Sequence, residues 1–253
     1  MTAPKTNQTY AAYKQSLELV WHNENTVSFI FNVVPSIALT DVIACAQQYI
    51  SQQFTGAIAD IIPAYNGLML VFDFSVESPE VLAKVIFDSL KNSALEPLDK
   101  ASKDTDILTI PVCYHRDMAP DLPALASSAG LSIDEVVTVH SQATYTVCAL
   151  GFAPGFPYLG FVDARIAKPR LATPRQKVAA GSIGIADNQT GVYPSASPGG
   201  WNIIGRTPLV CFDIQRPVSQ ASLFSVGQKV RFEPVSRSDY AALNHKYIRQ
   251  GCA

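Results

Sequence analysis

Nine of the chain's 14 glycines fall between Gly151 and Gly205. Glycine at that density, with prolines between, denies a helix any length there, because each interior glycine costs roughly 1 kcal/mol of helix stability. What survives such punctuation is a set of short strands joined by turns. From Gln142 to about Glu233 the chain reads that way, which is the signature of a small closed barrel or a sandwich. Between Gly151 and Pro208 the basic residues are Arg165, Lys168, Arg170, Arg175, Lys177 and Arg206, against the acids Asp163 and Asp187, in a chain of net charge −2. Two readings stand. Either glycine loops let backbone N–H groups approach an anionic small molecule, or turns simply need glycine and the cations are solvated.

The N-terminal half keeps other periods. Thr26–Asn32 alternates polar and apolar residues, as a half-buried strand does. Leu39, Val42, Ile43, Ala46, Ile50 and Phe54 share one helical face. A short apolar run, Ala57–Ile62, is followed by a strand, Gly67–Phe74, entered through the turn-prone Asn66-Gly67 pair. Ser78-Pro79-Glu80 predicts a helix start, with Val81, Leu82, Val85, Ile86 and Leu90 turned inward behind it. Asp106–Cys113 reads as a last strand, and Pro111 makes it an edge or a crossover. Strand, helix, strand, strand, helix, strand is the ferredoxin-like split βαβ plan. Asp121 is placed to cap a helix, and Ser132 with Glu135 forms a capping box. The expected fold is therefore α+β, with an N-terminal α+β domain over 1–105 and a C-terminal β domain over 106–253.

Composition excludes several classes. At 48% hydrophobic and 16% charged, the 253 residues hold ample core material and are not disordered. The charge balance and a pI of about 6.1 argue against nucleic-acid binding. Cys45, Cys113, Cys148 and Cys211 sit among apolar neighbours and read as small buried hydrophobes, with Cys252 exposed. Met1–Gln15 lacks the apolar core of a signal peptide, and no stretch approaches the roughly 18 apolar residues of a membrane span, so a cytoplasmic protein is expected. No P-loop, Gly-x-Ser-x-Gly elbow or His-Glu-x-x-His occurs, and the four histidines are scattered, so no metal site is expected.

The motifs carry a resemblance. Gly151-Phe152-Ala153-Pro154-Gly155-Phe156-Pro157-Tyr158-Leu159-Gly160 resembles the hallmark of the family that includes the B subunit of bacterial 5-oxoprolinase. Pro169-Arg170, Thr173-Pro174-Arg175, Ala180 to Ile185, Gln189-Thr190-Gly191, Tyr193-Pro194, Ser197 to Trp201 and Ile204 to Pro208 continue it. The family also includes an inhibitor of a sporulation histidine kinase, and it is similar to the first half of the carboxyltransferase region of biotin-dependent urea carboxylase. The resemblance implies a cyclophilin-like C-terminal barrel. It implies ATP-dependent opening of 5-oxoproline to L-glutamate, with ATP and its magnesium shared with a directly bound C subunit, and with an A subunit completing the reaction. A kinase regulator and a carboxyltransferase component are the alternatives. One departure stands out: where the family has Tyr-Gly-Gly-x-x-Gly-Pro-Asp-Leu, this chain has Tyr114-His115-Arg116-Asp117-Met118-Ala119-Pro120-Asp121-Leu122, with all three glycines replaced.

Each candidate residue has a functional and a structural reading. His140 is the acid/base candidate, or else a histidine resting on the last carbonyls of a helix. Arg175 and Arg206 hold a substrate carboxylate or phosphate, or tie loops together. Ser182 and Gln189 offer a hydroxyl and an amide to a substrate oxygen, or cap turns. Gly199-Gly200 presents N–H groups to an oxyanion, or is a tight turn. Trp201 and Tyr158 form a ligand platform, or else barrel core or subunit contact, and Phe152 and Phe156 read as packing around proline turns.

Overall fold

The computed structural model describes residues 12–92 and 107–250. The chain divides into two compact units, Met1–Asp104 and Thr105–Ala253. In the first, β1 (Leu17–Asn23), β2 (Thr26–Phe31), β3 (Ile58–Ala64) and β4 (Gly67–Phe72) form an antiparallel sheet in the order β1-β2-β4-β3. Helix α1 (Ile37–Gln53) links β2 to β3, and α2 (Pro79–Asn92) follows β4. Ser36 starts α1 by accepting the Leu39 N–H at 3.2 Å. Strand alternation puts Val27, Phe29 and Phe31 of β2 beside Leu68, Leu70 and Phe72 of β4 in the core. Leu39, Val42, Ile43, Ala46 and Ile50 of α1 and Ala83, Ile86 and Leu90 of α2 pack into the same cluster.

The split βαβ motif is present, since β4 lies between β2 and β3, but its fourth strand is not Asp106–Cys113. That place beside β2 belongs to β1, whose own alternation of Leu17, Leu19 and Trp21 and tight hairpin to β2 make it the nearest strand available. On α2, Val81 and Val85 are 64% and 48% exposed rather than buried. Each lies two residues from Ala83, and two residues is about 200° around a helix, so both face away from the apolar stripe.

The second unit is a barrel. Its sheet runs β12 (Asn202–Arg206), β9 (Ser182–Ala186), β10 (Gln189–Val192), β7 (Pro157–Gly160), β6 (Thr144–Leu150), β13 (Lys229–Pro234), β5 (Leu108–Val112). All pairs are antiparallel except β13 with β5, which run parallel. β5 is the first barrel strand and β13 the last, with β6 to β12 between them in the chain. The two outer strands then meet. Cys113 and Arg206 exchange N–H···O bonds of 2.9 and 3.0 Å, which stitches the end of β5 to β12. Ile110, Val112, Tyr145, Val147, Leu159, Ile183, Ile185, Val192, Ile204, Val230 and Phe232 fill the interior.

Outside the barrel, β8 (Arg175–Val178) and β11 (Ser197–Gly199) form a two-stranded ribbon. Helices α3 (Leu122–Ala129) and α4 (Ile133–Gln142) separate β5 from β6, α5 (Val218–Ala221) is a single turn, and α6 (Arg237–Gln250) follows β13. The capping box at α4 is complete, with Glu135 N–H on Ser132 Oγ at 3.2 Å and Ser132 N–H on Glu135 Oε2 at 2.7 Å. Asp121 does not cap α3; its carboxylate is engaged elsewhere. At α6 the Ser236 hydroxyl takes the Asp239 N–H at 3.1 Å, a helix start that lies beyond Glu233, where the β-like reading ends. Cys45, Cys113, Cys148 and Cys211 are buried and form no disulfide, and Cys252 lies outside the described residues. No single helix among the described residues is long and apolar enough to cross a membrane.

The seam explains one glycine. A Cβ on Gly205 would sit 2.7 Å from Val112 Cγ1 and 3.3 Å from the Cys113 carbonyl oxygen. Gly205→Ala should therefore cost about 1–3 kcal/mol as an overpacked seam. Gly200→Ala, whose methyl group would meet Pro174 at 3.6 Å, should cost under about 1 kcal/mol. Urea unfolding of the two variants, read at constant m, checks the difference.

Candidate functional site

The ribbon, the β6–β7 turn and the entry to β12 enclose a cleft of about 80 Å³, lined by Phe152, Phe156, Tyr158, Arg170, Tyr193, Gly199, Gly200 and Trp201. Its walls are aromatic and meet edge to face. Phe156 stands at 88° to Tyr193 and at 85° to Trp201, with centroids 5.3 and 5.4 Å apart. Phe152 forms the mouth. It is 63% exposed and has φ 70°, a left-handed conformation uncommon for a side chain of this size. That backbone turns its ring edge-on to Phe156 and Tyr193. Arg170 is exposed, with its guanidinium 6.0 Å over the Trp201 ring.

Tyr193 is the hidden member, 1% exposed although it lines the cleft. Its main chain is held by Gly181 N–H at 2.7 Å and by the Ser182 carbonyl at 2.9 Å. A Cβ on Gly199 would come within 2.8 Å of the Tyr193 ring carbons, so glycine there is what lets the ring lie against the ribbon. Burial pushes the phenol up from its ordinary value, outweighing the Trp201 main-chain hydrogen bond and the nearby charges of Arg170 and Arg175.

Of the residues expected in a site, Gly199 and Gly200 line this cleft. Arg175 adjoins it, paired through its backbone with Gly199. The Arg175 side chain is divided: Nη2 donates to Asp121 Oδ1 at 2.6 Å, while Nη1 is buried with no hydrogen-bond partner. The second Asp121 oxygen accepts the Ile203 N–H at 2.6 Å, which accounts for the missing helix cap. Arg206 does not line the cleft; its Nε donates to the Ala180 carbonyl at 2.8 Å and ties that loop to β12. Ser182 is buried in β9 and acts on the cleft through its main chain, and Gln189 is half-buried at the start of β10. Sequence reasoning passed over Arg170 and Tyr193 as site residues, weighed Trp201 and Tyr158 as barrel core or subunit contact against a ligand platform, and took Phe152 and Phe156 for packing. The motif runs that contain them were the available signal.

The loop that lost its glycines points elsewhere. Asp117 pairs with His115 at 3.3 Å and with Arg237 of α6 at 3.1 Å. Among the described residues, no group of three or more His, Cys, Asp or Glu side chains is placed to hold a metal ion.

His140 occupies the barrel interior, fully buried, its ring stacked on Phe232 at 4.6 Å. The Thr190 hydroxyl donates to the Gly184 carbonyl at 3.0 Å, so toward His140 Nε2, also at 3.0 Å, it must accept. Nε2 therefore carries the ring proton, and Nδ1 accepts from the Tyr114 hydroxyl at 2.8 Å. Burial lowers the imidazole pKa from 6.5 to about 3, so the ring stays neutral and sealed rather than presented as a base. Below its ordinary pKa the unfolded chain takes up a proton that the folded chain refuses. This group's stabilisation is thus whole above pH 6.5 and is lost as pH falls toward 3, by up to about 1.4 kcal/mol per unit. Denaturation at about pH 7 and about pH 5 should show the wild type losing about 2 kcal/mol more than His140→Gln over that interval.

Comparison with known proteins places this architecture. Residues 18–223 match the family model for the carboxyltransferase domain, subdomain C and D. The chain is 38% identical over 214 residues to the 5-oxoprolinase B subunit of Bacillus subtilis, covering 79% of this chain and 85% of the relative. It is 41% identical over 182 residues to the 5-oxoprolinase B subunit of Escherichia coli O157:H7, covering 70% and 78%. The crystal structure of TTHA0988 superimposes with a TM-score of 0.71 at 31% identity, over 83% of this chain and 40% of that longer one. An aromatic cleft on a barrel closed by its first and last sheet positions thus sits within a family match that covers most of the sequence, and the chain belongs to the carboxyltransferase subdomain C and D family, together with the B subunit of 5-oxoprolinase.

Proposed function

We propose that this chain is the B subunit of an ATP-dependent 5-oxoprolinase, acting in the cytoplasm with a directly bound C subunit and an A subunit to convert 5-oxo-L-proline to L-glutamate. The observation that carries the reading is the identity of 38% and 41% to proteins of that name over most of the chain. The chemistry explains why such an enzyme consumes ATP: a five-membered lactam is a poor acyl donor, and a phosphorylated lactam oxygen is a better leaving group.

The cleft suits one of the two reactants. Pockets that enclose drug-sized ligands run to roughly 300–1,000 Å³. At about 80 Å³ the cleft is small for a nucleotide, which supports a nucleotide bound elsewhere in the complex. ATP and its magnesium belong instead at a surface completed by the C subunit. This chain supplies the wall for the ring acid. Aromatic faces flank the apolar edges of the lactam, Arg170 and Arg175 supply positive charge, and Gly199-Gly200 lets the ring approach the backbone. Ser182 holds the main chain of Tyr193 in that wall through its carbonyl.

The test is reconstitution with the A and C partners, following glutamate release and ATP hydrolysis while each component is left out in turn. Glutamate should appear only when this chain is present, and Arg175→Ala should lower kcat/KM by at least about a hundredfold. A complete partner set that works equally well without this chain would sink the proposal.

A further inference from the structure

We infer that the cleft is a one-carboxylate site, in which the Tyr193 hydroxyl and the Arg170 and Arg175 guanidiniums grip a single carboxylate of a small ring acid. The inference takes the identity of the acid, 5-oxo-L-proline, from the oxoprolinase reading, but takes the chemistry of the grip from the geometry alone.

Three donors stand at the cleft. The Tyr193 ring lines it, and its neutral hydroxyl can donate one hydrogen bond. Among the described residues no acceptor takes that proton. Arg175 has one prong of its fork on Asp121 and the other buried without a partner, and a buried guanidinium N–H left unpaired is a costly arrangement unless a ligand supplies the acceptor. Arg170 makes no ion pair among the described residues, and it faces the cleft across Trp201. Arg170 and Tyr193 line the same cleft, and Arg175 is paired through its backbone with Gly199, which lines it too, so the three side chains stand around one space.

Charge fixes the class of ligand. Two guanidiniums less the Asp121 carboxylate leave one net positive charge, which matches a monocarboxylate and leaves a phosphate dianion under-compensated. The aromatic walls accept a ring, and the neutral phenol adds a donor that distinguishes a carboxylate oxygen from an apolar substituent. On this account the carboxylate anchors the substrate, and the lactam extends away from the anchor toward the partner.

The chain has two tryptophans, and one of them, Trp201, lines the cleft. Its fluorescence, in the full chain carrying Trp21→Phe, reports binding of 5-oxo-L-proline, of 2-pyrrolidinone (the same lactam without the carboxylate) and of inorganic phosphate. The KM for 5-oxo-L-proline in the reconstituted complex is measured alongside. We expect 2-pyrrolidinone to bind at least about tenfold more weakly than 5-oxo-L-proline, and phosphate not to compete with it. Tyr193→Phe and Arg170→Gln should each raise the dissociation constant and KM by about tenfold or more, with kcat changed less than about threefold, and Arg165→Gln should change nothing. A thermal melt of Tyr193→Phe confirms that it folds, and Arg170, being exposed, gives a second variant free of that concern. Equal binding of 2-pyrrolidinone, or unchanged constants in both variants, would overturn the inference, as would competition by phosphate. Should the complete complex fail to turn over 5-oxo-L-proline, the oxoprolinase reading falls, and the same fluorescence titration with other small ring carboxylates still decides the grip. Should the isolated chain bind nothing, the KM values of the two variants decide it.

Discussion

The Asp121 carboxylate is the tie on which the cleft depends. Its backbone N–H donates to the Ile203 carbonyl at 3.0 Å, one side-chain oxygen takes the Ile203 N–H, and the other holds Arg175. One residue thus fixes the start of α3 to β12 and orients the guanidinium that leads the β8–β11 ribbon. The pair is largely screened from water, with the carboxylate side chain 13% exposed, so its hydrogen bonds are worth more than those of a surface ion pair. Trp201 and Gly199 stand on either side of these anchored elements. The cleft is accordingly a product of main-chain placement first and of side-chain chemistry second.

A second polar construction lies inside the barrel. Tyr114, His140, Thr190 and the Gly184 carbonyl form one chain of hydrogen bonds in which every proton has an assigned place. A satisfied buried network specifies a single core arrangement, where an apolar core of equal volume would tolerate several. Tyr114 belongs to the segment whose glycines were replaced, yet its hydroxyl is committed inward, and the charged residues after it turn to α6. The Asp117 carboxylate of that loop is paired with His115 and with Arg237 of α6.

Periodicity made most of the fold legible. The α1 stripe, the β2 and β4 alternation and the Ser132–Glu135 box are local signals, and local physics forms them. Where the reading failed, a distant partner decided. Asp121 looks like a helix cap until Ile203 and Arg175 arrive from more than fifty residues away in sequence. His140 looks like a helix-terminal base until Phe232 and Thr190 close over it. The cleft was half visible: the glycines and arginines stood out by composition, whereas Tyr193 looked like any core aromatic, because its importance lies in an unclaimed proton.

The seam between Cys113 and Arg206 has a consequence for the life of the chain before it is folded. Strand β5 emerges early from the ribosome, but its two neighbours, β12 and β13, lie about a hundred residues downstream. Throughout that interval β5 is a bare strand edge, apolar at Ile110 and Val112, and open to pairing with another nascent chain. Pro111 sits between those two residues and has no N–H to offer. A residue that looks like a defect in the finished sheet thus guards the strand while it waits, and is harmless once the barrel has closed around it.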